Sequence, residues 1–440
     1  MFLSLGFLTA QNDSLDLKKD HKTESHEGHG HDDEGHNHGT EGNHEDGHKA
    51  EDHGDHGHTH CGHEVHHEFD PETFDPGAVA FHHISDANVY SIGPWSIPLP
   101  CILYAPEGNG LSTFLSTKFG KLDSHGTAKK AYKGYALDQG TVVRVTDASF
   151  PLEQVDINAI VHIKEKDAKG KEIEIPHVCY QDKLYRCDKK STADGGLFGG
   201  GITSYYDFSI TKNVASMFIV CGLLFFMFMS IAKAYKNRDG QSPRGLQSLM
   251  EPVIIFIRDE VAKPFLGHRW AEFMPYLLTI FFFILGLNLW GQIPFLGGSN
   301  VTGNLGATMV LAIIAFIMTT INGNKNYWSH VLWMPDVPPL LKILIITPVE
   351  IIGLFIKPIT LMLRLFANIT AGHMVIVIFI SLIFMLGKGQ VAPSLGVSIG
   401  SMLLTLFMMT IELLVAFIQA FVFTLLTASY LGAATEEAHH

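Results

Sequence analysis

The chain has 440 residues and a formal net charge of -13, with 20 of its 25 histidines before residue 206. Nucleic-acid binding needs a basic face, so this balance excludes it. The acidic character belongs to the front half, because residues 206–440 are dominated by Leu, Ile, Phe, Met and Val.

The first eleven residues, MFLSLGFLTAQ, are apolar and end in small residues but carry no basic leader. They read either as a truncated signal peptide or as a plain disordered terminus, and they are too short to span a membrane. Residues 12–70 are low-complexity, with 15 histidines in runs such as HEGHGHDDEGHNHG and HGDHGHTHCGH. Such a segment has almost nothing apolar to offset chain entropy and should be disordered. Neutral imidazole is a good ligand for Zn²⁺ or Cu²⁺, which makes His56, His58 and His60 weak metal candidates. A solvated tail with incidental metal affinity explains the same residues.

Residues 78–205 have the composition of a small domain. VYSIGPWSIPLPCILY, TVVRVTDASF and DINAIVHIKEK are rich in β-branched and aromatic residues between Gly, Pro, Asp and Lys, so short strands are expected. Of Cys101, Cys179 and Cys187, the last two are candidates for a disulfide if this region is extracytoplasmic.

The rest reads as membrane. Residues 214–232 contain no charge in 19 positions, enough to cross a core of ~30 Å at ~1.5 Å per residue. Spans are also expected at 274–290 and 303–321. Between the first two lie Lys233, Lys236, Arg238, Arg244, Arg258, Lys263 and Arg269, whereas GQIPFLGGSNV after the second has no charge. The positive-inside rule makes the first loop cytoplasmic and places the front half outside. Within that loop, LQSLMEPVIIFIRDEVAKPFL looks like an amphipathic helix, lying along the membrane surface or packing against a partner.

Two further apolar stretches, about 343–386 and 395–432, are each about twice the bilayer thickness if helical, so they must be tilted or broken. GKGQVAPS at 387–394 would be the turn between them. The expected fold is therefore a mainly α-helical polytopic membrane protein. It has about five crossings, including a long, tilted antiparallel hairpin, plus a small extracytoplasmic β-rich region.

Polar residues interrupt this hairpin at LMLRLFANITAGHMVIVIFI, where an arginine near the bilayer centre costs at least ~2.5 kcal/mol. At 100° per residue, Glu350, Lys357 and Asn368 fall within about 40° of Arg364 and share its stripe, with His373 opposite. Glu412 and Gln419 are seven apart on one face of the second helix. In an antiparallel pair, residues at one depth average to the turn; His373 with Glu412 and Arg364 with Gln419 both do so. Polar residues aligned by depth point to an ion path. The bland alternative is a set of helix-packing hydrogen bonds of ~1 kcal/mol or less.

VEIIGLFIKP with LRLFANITAGH, followed by IELLVAFIQAFVFTLLTASYLGAA, resembles subunit a of the F-type ATP synthase over about residues 205–437. The resemblance implies that Arg364 is the essential charge barrier facing a ring of c subunits, with peripheral-stalk b subunits as further partners. It implies that His373, Glu412, Gln419 and Asn368 form the outer proton path and that Glu350 lies in the exit half-channel. Lys357 is a possible accessory whose side chain could equally snorkel. In some members of the family the His and Glu positions are exchanged between the two helices.

No cofactor is implied, and no GxxxxGK[ST] loop is present, so the chain should not hydrolyse ATP itself. A bacterial inner membrane location follows, with the C-terminus cytoplasmic. H⁺ and Na⁺ are not distinguished by these residues. The rival reading is a divalent-metal (zinc) transporter with a His-rich tail; it needs paired ligands within the spans, and His268 with Glu272 has an i,i+4 spacing.

Overall fold

The computed structural model describes residues 59–61, 63–64, 77 and 84–436, apart from segments at 93–94, 123–125, 167–171, 193–200, 238–240, 294–297, 334–337 and 388–390. The N-terminal stretch 1–11, His56 and His58 lie outside the described residues. Of the His-rich segment, β1 (Thr59–His60) pairs antiparallel with β2 (His63–Glu64), so His60 is opposite His63 in backbone register.

From residue 84 onward the chain first builds β structure. β3 (Val89–Ile92) and β4 (Trp95–Pro98) form a hairpin. β5 (Pro100–Ala105) pairs with β6 (Gly110–Leu115), and β14 (Tyr206–Asp207) joins the other edge of β5. Three longer strands, β11 (Ala159–Lys166), β12 (Glu172–Tyr180) and β13 (Lys183–Asp188), continue through β9 (Thr141–Val145) to β8 (Tyr135–Asp138) in one five-stranded antiparallel sheet. The β12–β13 turn uses Gln181 and Asp182, both at positive φ, the geometry that two-residue hairpins favour because its twist matches the strands. Two apolar clusters hold these sheets, one around Leu103, Phe119, Tyr135 and Tyr205, the other around Val143, Phe150 and Val178.

The expected Cys179–Cys187 disulfide does not form. Cys187 is a free, buried thiol, while Cys179 is engaged in a disulfide. The physical reason is register: Cys179 faces Leu184 across the β12–β13 ladder, and Cys187 lies three positions further along β13, opposite Val145 of β9. A disulfide requires Cα atoms within about 7 Å, which this ladder does not provide.

The remainder is helical. α1 (Lys212–Asn237), α2 (Leu246–Phe256), α3 (Trp270–Gln292), α4 (Leu305–Ile321), α5 (Lys325–Leu332), α6 (Thr347–Gly387) and α7 (Val391–Thr435) follow in order. Among the described residues, four helical stretches are long and apolar enough to cross a membrane: 212–237, 246–292, 344–383 and 395–435. The expected span at 303–321 appears as α4, apolar but only 17 residues long. α6 and α7, at 41 and 45 residues, are ~62 and ~68 Å long, and each runs unbroken, α6 even through Pro358. They end and begin at Gly387 and Val391; the residues between lie outside the described set.

The segment between α2 and α3 packs on protein. Ile257, Val261, Ala262 and Leu266 are buried in the same core as α3, α6 and α7, so this stretch is an internal brace. It includes a π-helical turn at Ile257–Ala262. Opposite this core, Phe218, Phe225 and Phe226 of α1 stand exposed. Large apolar side chains on an outer face suit a hydrocarbon solvent, where helices satisfy their backbone internally.

Candidate functional site

α6 and α7 pack through complementary faces. Leu361, Leu365 and Ile369, at i, i+4 and i+8 of α6, are buried, as are Ala416, Ala420 and Phe423 of α7. The alanines allow close backbone approach, the usual device where helices associate without a hydrophobic driving force. This packing places His373 beside Glu412: Nδ1 and Oε1 are 3.3 Å apart, and the carboxylate side chain is only 5% exposed. The contact is an ion-pair distance without hydrogen-bond geometry, so Glu412 Oε1 has no hydrogen-bond donor among the described residues.

Two glycines border the pair. A Cβ on Gly372 would lie 3.1 Å from Glu412 Oε1, and one on Gly291 would lie 3.6 Å from His373 Nε2 and 2.7 Å from the Ser299 carbonyl. α3 then locks α7 in register. Gln292 Nε2 donates to the Glu412 carbonyl at 2.8 Å, and Asn288 Nδ2 donates to the Ala416 carbonyl at 3.2 Å. Two amides four apart thus meet two carbonyls four apart on an antiparallel neighbour. Thr302 in turn donates to Asn288 Oδ1 at 2.7 Å.

These supporting residues escaped the sequence reading, which treated 274–290 as plainly apolar. The signal was there in NLWGQ, where Asn288 and Gln292 share one helix face at the end of a span.

The remaining site residues are placed less closely. Arg364 is half-buried, Asn368 exposed and Gln419 buried. Among the described residues none of the three makes a side-chain hydrogen bond or ion pair, so the guanidinium has no internal counter-charge. Glu350 is half-buried near the start of α6. It lies close enough to α5 that its carboxylate, after burial, contributes to raising the Tyr327 phenol above its ordinary pKa. Lys357 is exposed, with Nζ 5.5 Å from the centre of the Tyr430 ring. It lines a small cavity with Thr319, Tyr327, Leu361 and Tyr430.

His268 and Glu272 do not form a metal site. Glu272 is held by Arg269, whose Nε and guanidinium nitrogen donate at 3.0 and 3.1 Å. No cluster of three His, Cys, Asp or Glu suited to a metal ion occurs among the described residues.

A hairpin of two long apolar helices that brings a His and a Glu together and carries an arginine without an ion pair among the described residues defines a polytopic membrane protein. A family model described as ATP synthase A chain matches residues 214–432, the region that contains this hairpin. ATP synthase subunit a of Chloroherpeton thalassium is 40% identical over 241 residues, covering 53% of this chain and 69% of that protein. ATP synthase subunit a 2 of Prosthecochloris aestuarii is 39% identical over 248 residues, covering 53% and 71%. Subunit a of Anaeromyxobacter dehalogenans is 36% identical over 274 residues, covering 60% and 67%. The chain belongs to the ATP synthase subunit a family. In front of that region, residues 79–174 match a domain of unknown function (DUF8433). The zinc-transporter reading finds no support in these matches.

Proposed function

We propose that this protein is the stator subunit a of a bacterial F-type ATP synthase, providing two proton half-channels beside the ring of c subunits. The observation that carries the reading is the His373–Glu412 pair, 3.3 Å apart inside the same hairpin as an arginine that makes no ion pair among the described residues. Family membership supports it.

In this reading Arg364 is a fixed electrostatic barrier. A guanidinium stays protonated, so it conducts no proton itself. Its field favours the ionised form of a c-subunit carboxylate passing it. That carboxylate gives up its proton to one half-channel and is reprotonated from the other.

His373 and Glu412 deliver protons on one side of the barrier, with Asn368 and Gln419 between them and Arg364. Glu350 serves the other side, and Lys357 is an accessory of that side. One charge crossing ~100 mV yields ~2.3 kcal/mol, so several protons must be combined per ATP, which a multi-subunit rotor does. The excess of Lys and Arg between α1 and α3 favours a cytoplasmic location for that loop, with the β-rich region outside and the C-terminus inside. Peripheral-stalk b subunits would hold the chain against rotation. The subunit itself performs no nucleotide chemistry.

The test is Arg364→Ala in membrane vesicles containing the assembled complex. ATP-driven acidification is expected to be lost, and normal pumping by that variant overturns the proposal.

A further inference from the structure

The front domain is joined to the membrane helices through residues 85–90. Lys212, the first residue of α1, donates its backbone N–H to the Ala87 carbonyl at 2.7 Å and its ammonium to the Ser85 carbonyl at 3.1 Å. Asn213 N–H donates to Asp86 Oδ1 at 3.0 Å. One turn on, Ser216 Oγ and, from α3, Trp290 Nε1 each donate to the Tyr90 hydroxyl at 3.2 Å. Residues 85–90 are therefore wedged against the ends of α1 and α3.

This joint continues into the His373–Glu412 site. Trp290 holds Tyr90, and the next residue, Gly291, stands between the Ser299 carbonyl and His373 Nε2. His373 meets Glu412. Lys212 at the joint is itself buried.

Buried polar atoms without a hydrogen bond recur at the joint, in the adjoining loop and at the His–Glu pair. Asn88 Nδ2, Thr211 Oγ1 and Asn213 Oδ1 at the joint, Ser299 Oγ and Asn300 Nδ2 in the adjoining loop, and Glu412 Oε1 at its end all lack a protein partner among the described residues. Leaving such a group dry is costly, because its lost hydrogen bonds to water are not replaced. Six such atoms, shared between the joint, the loop that meets Gly291 and the His–Glu pair, are a signature of internal water, which occupies sites offering several polar partners.

We infer that residues 85–90 of the front domain form one wall of a hydrated passage that leads from the β-domain side to His373 and Glu412. The inference rests on the proton-path reading above and adds to it that the front domain is part of the proton route. Tyr90 is the hinge-pin of this wall, a positioning residue that ties α1 to α3. Asn88, Asn213, Ser299 and Asn300 supply the polar lining.

Thiol labelling of the assembled complex tests this. Ser299→Cys replaces a hydroxyl by a thiol of similar shape, and Asn88→Cys probes the domain side; methanethiosulfonate ethylammonium is added on the β-domain side and modified peptides are quantified by mass spectrometry. Both positions are expected to label at least tenfold faster than Val301→Cys, whose side chain packs with Val220 and Leu287 in a closed apolar cluster. Labelling of Ser299→Cys should lower its own ATP-driven pumping at least fivefold. Adding Tyr90→Ala should change the Ser299→Cys labelling rate at least threefold.

Labelling no faster than at Val301→Cys, or fast labelling without effect on pumping, overturns the passage. An unchanged rate with Tyr90→Ala removes the front domain from it. If Asn88→Cys prevents assembly, the Ser299→Cys pair of measurements still decides. Loss of pumping in Arg364→Ala together with unlabelled Ser299→Cys sinks the passage alone, whereas retained pumping in Arg364→Ala sinks the proton-path reading.

Discussion

His373 and Glu412, 39 residues apart in sequence on two antiparallel helices, bring Nδ1 and Oε1 to 3.3 Å within the membrane hairpin. A proton relay needs one imidazole and one carboxylate but is indifferent to which helix bears which. His373→Glu or Glu412→His alone creates two like groups. Each is expected to lower ATP-driven acidification by roughly 10²-fold, the order that a proton-transferring group contributes. The double exchange should recover at least roughly a tenth of the parental rate. A double variant no better than the singles argues against a relay.

Gly432 sits where α7 crosses the short helical turn at Lys263–Leu266. A Cβ there would lie 2.1 Å from the Phe265 carbonyl oxygen, a backbone atom that no side-chain rotation can move. Gly432→Ala should destabilise the subunit by about 1–3 kcal/mol, as overpacking does. Thermal unfolding of the solubilised complex reads this as an earlier transition of subunit a; an unshifted transition contradicts the packing.

In the front domain, His162 Nε2 lies 2.9 Å from Asp138 Oδ2, linking β11 to β8. That hydrogen bond raises the His162 pKa above its ordinary value, against the opposing effect of burial. A group whose folded pKa is raised stabilises fully below its unfolded value, near pH 6.5, and the contribution fades as pH rises through the folded value. Amide exchange in β8 and β11 of the full complex should therefore be slower at pH 5.5 than at pH 8, after correction for intrinsic rates. Asp138→Asn should flatten that difference; the same slope in the variant assigns it elsewhere.

Cys101 and Cys187 are buried, and burial pushes both thiols up to about 12. The thiolate is the reactive form, so neither should be alkylated by iodoacetamide at pH 8 in the native complex. Unfolding without reductant should expose both and leave Cys179 protected by its disulfide. Recovery of a Cys179–Cys187 cross-linked peptide would refute the β12–β13 register.

Much of the site was legible because membrane helices impose simple arithmetic. Charge-free runs, the Lys and Arg between 233 and 269, and the spacing of Arg364, Asn368 and His373 needed only helix geometry and the cost of buried charge. The pairing of His373 with Glu412 followed from a midpoint, because two antiparallel helices joined by a short turn have one free register. The β-rich character of 78–205 was visible in its composition, but its pairings were not. Cys179 and Cys187 looked like partners because they are near in sequence, and strand register separated them.

The sequence by itself determined the long apolar helices, their hairpin and the residues that carry charge within it. Those properties depend on local composition and on distances along one helix. Only the tertiary structure decided that Asn288 and Gln292 clamp α7, that Gly372 leaves room for the Glu412 carboxylate, and that Tyr90 joins the front domain to α1 and α3. Each of these is a contact between residues about 40 to 200 positions apart. Such contacts are selected by packing the whole chain at once; a local pattern such as NLWGQ marks a polar face but does not say what meets it.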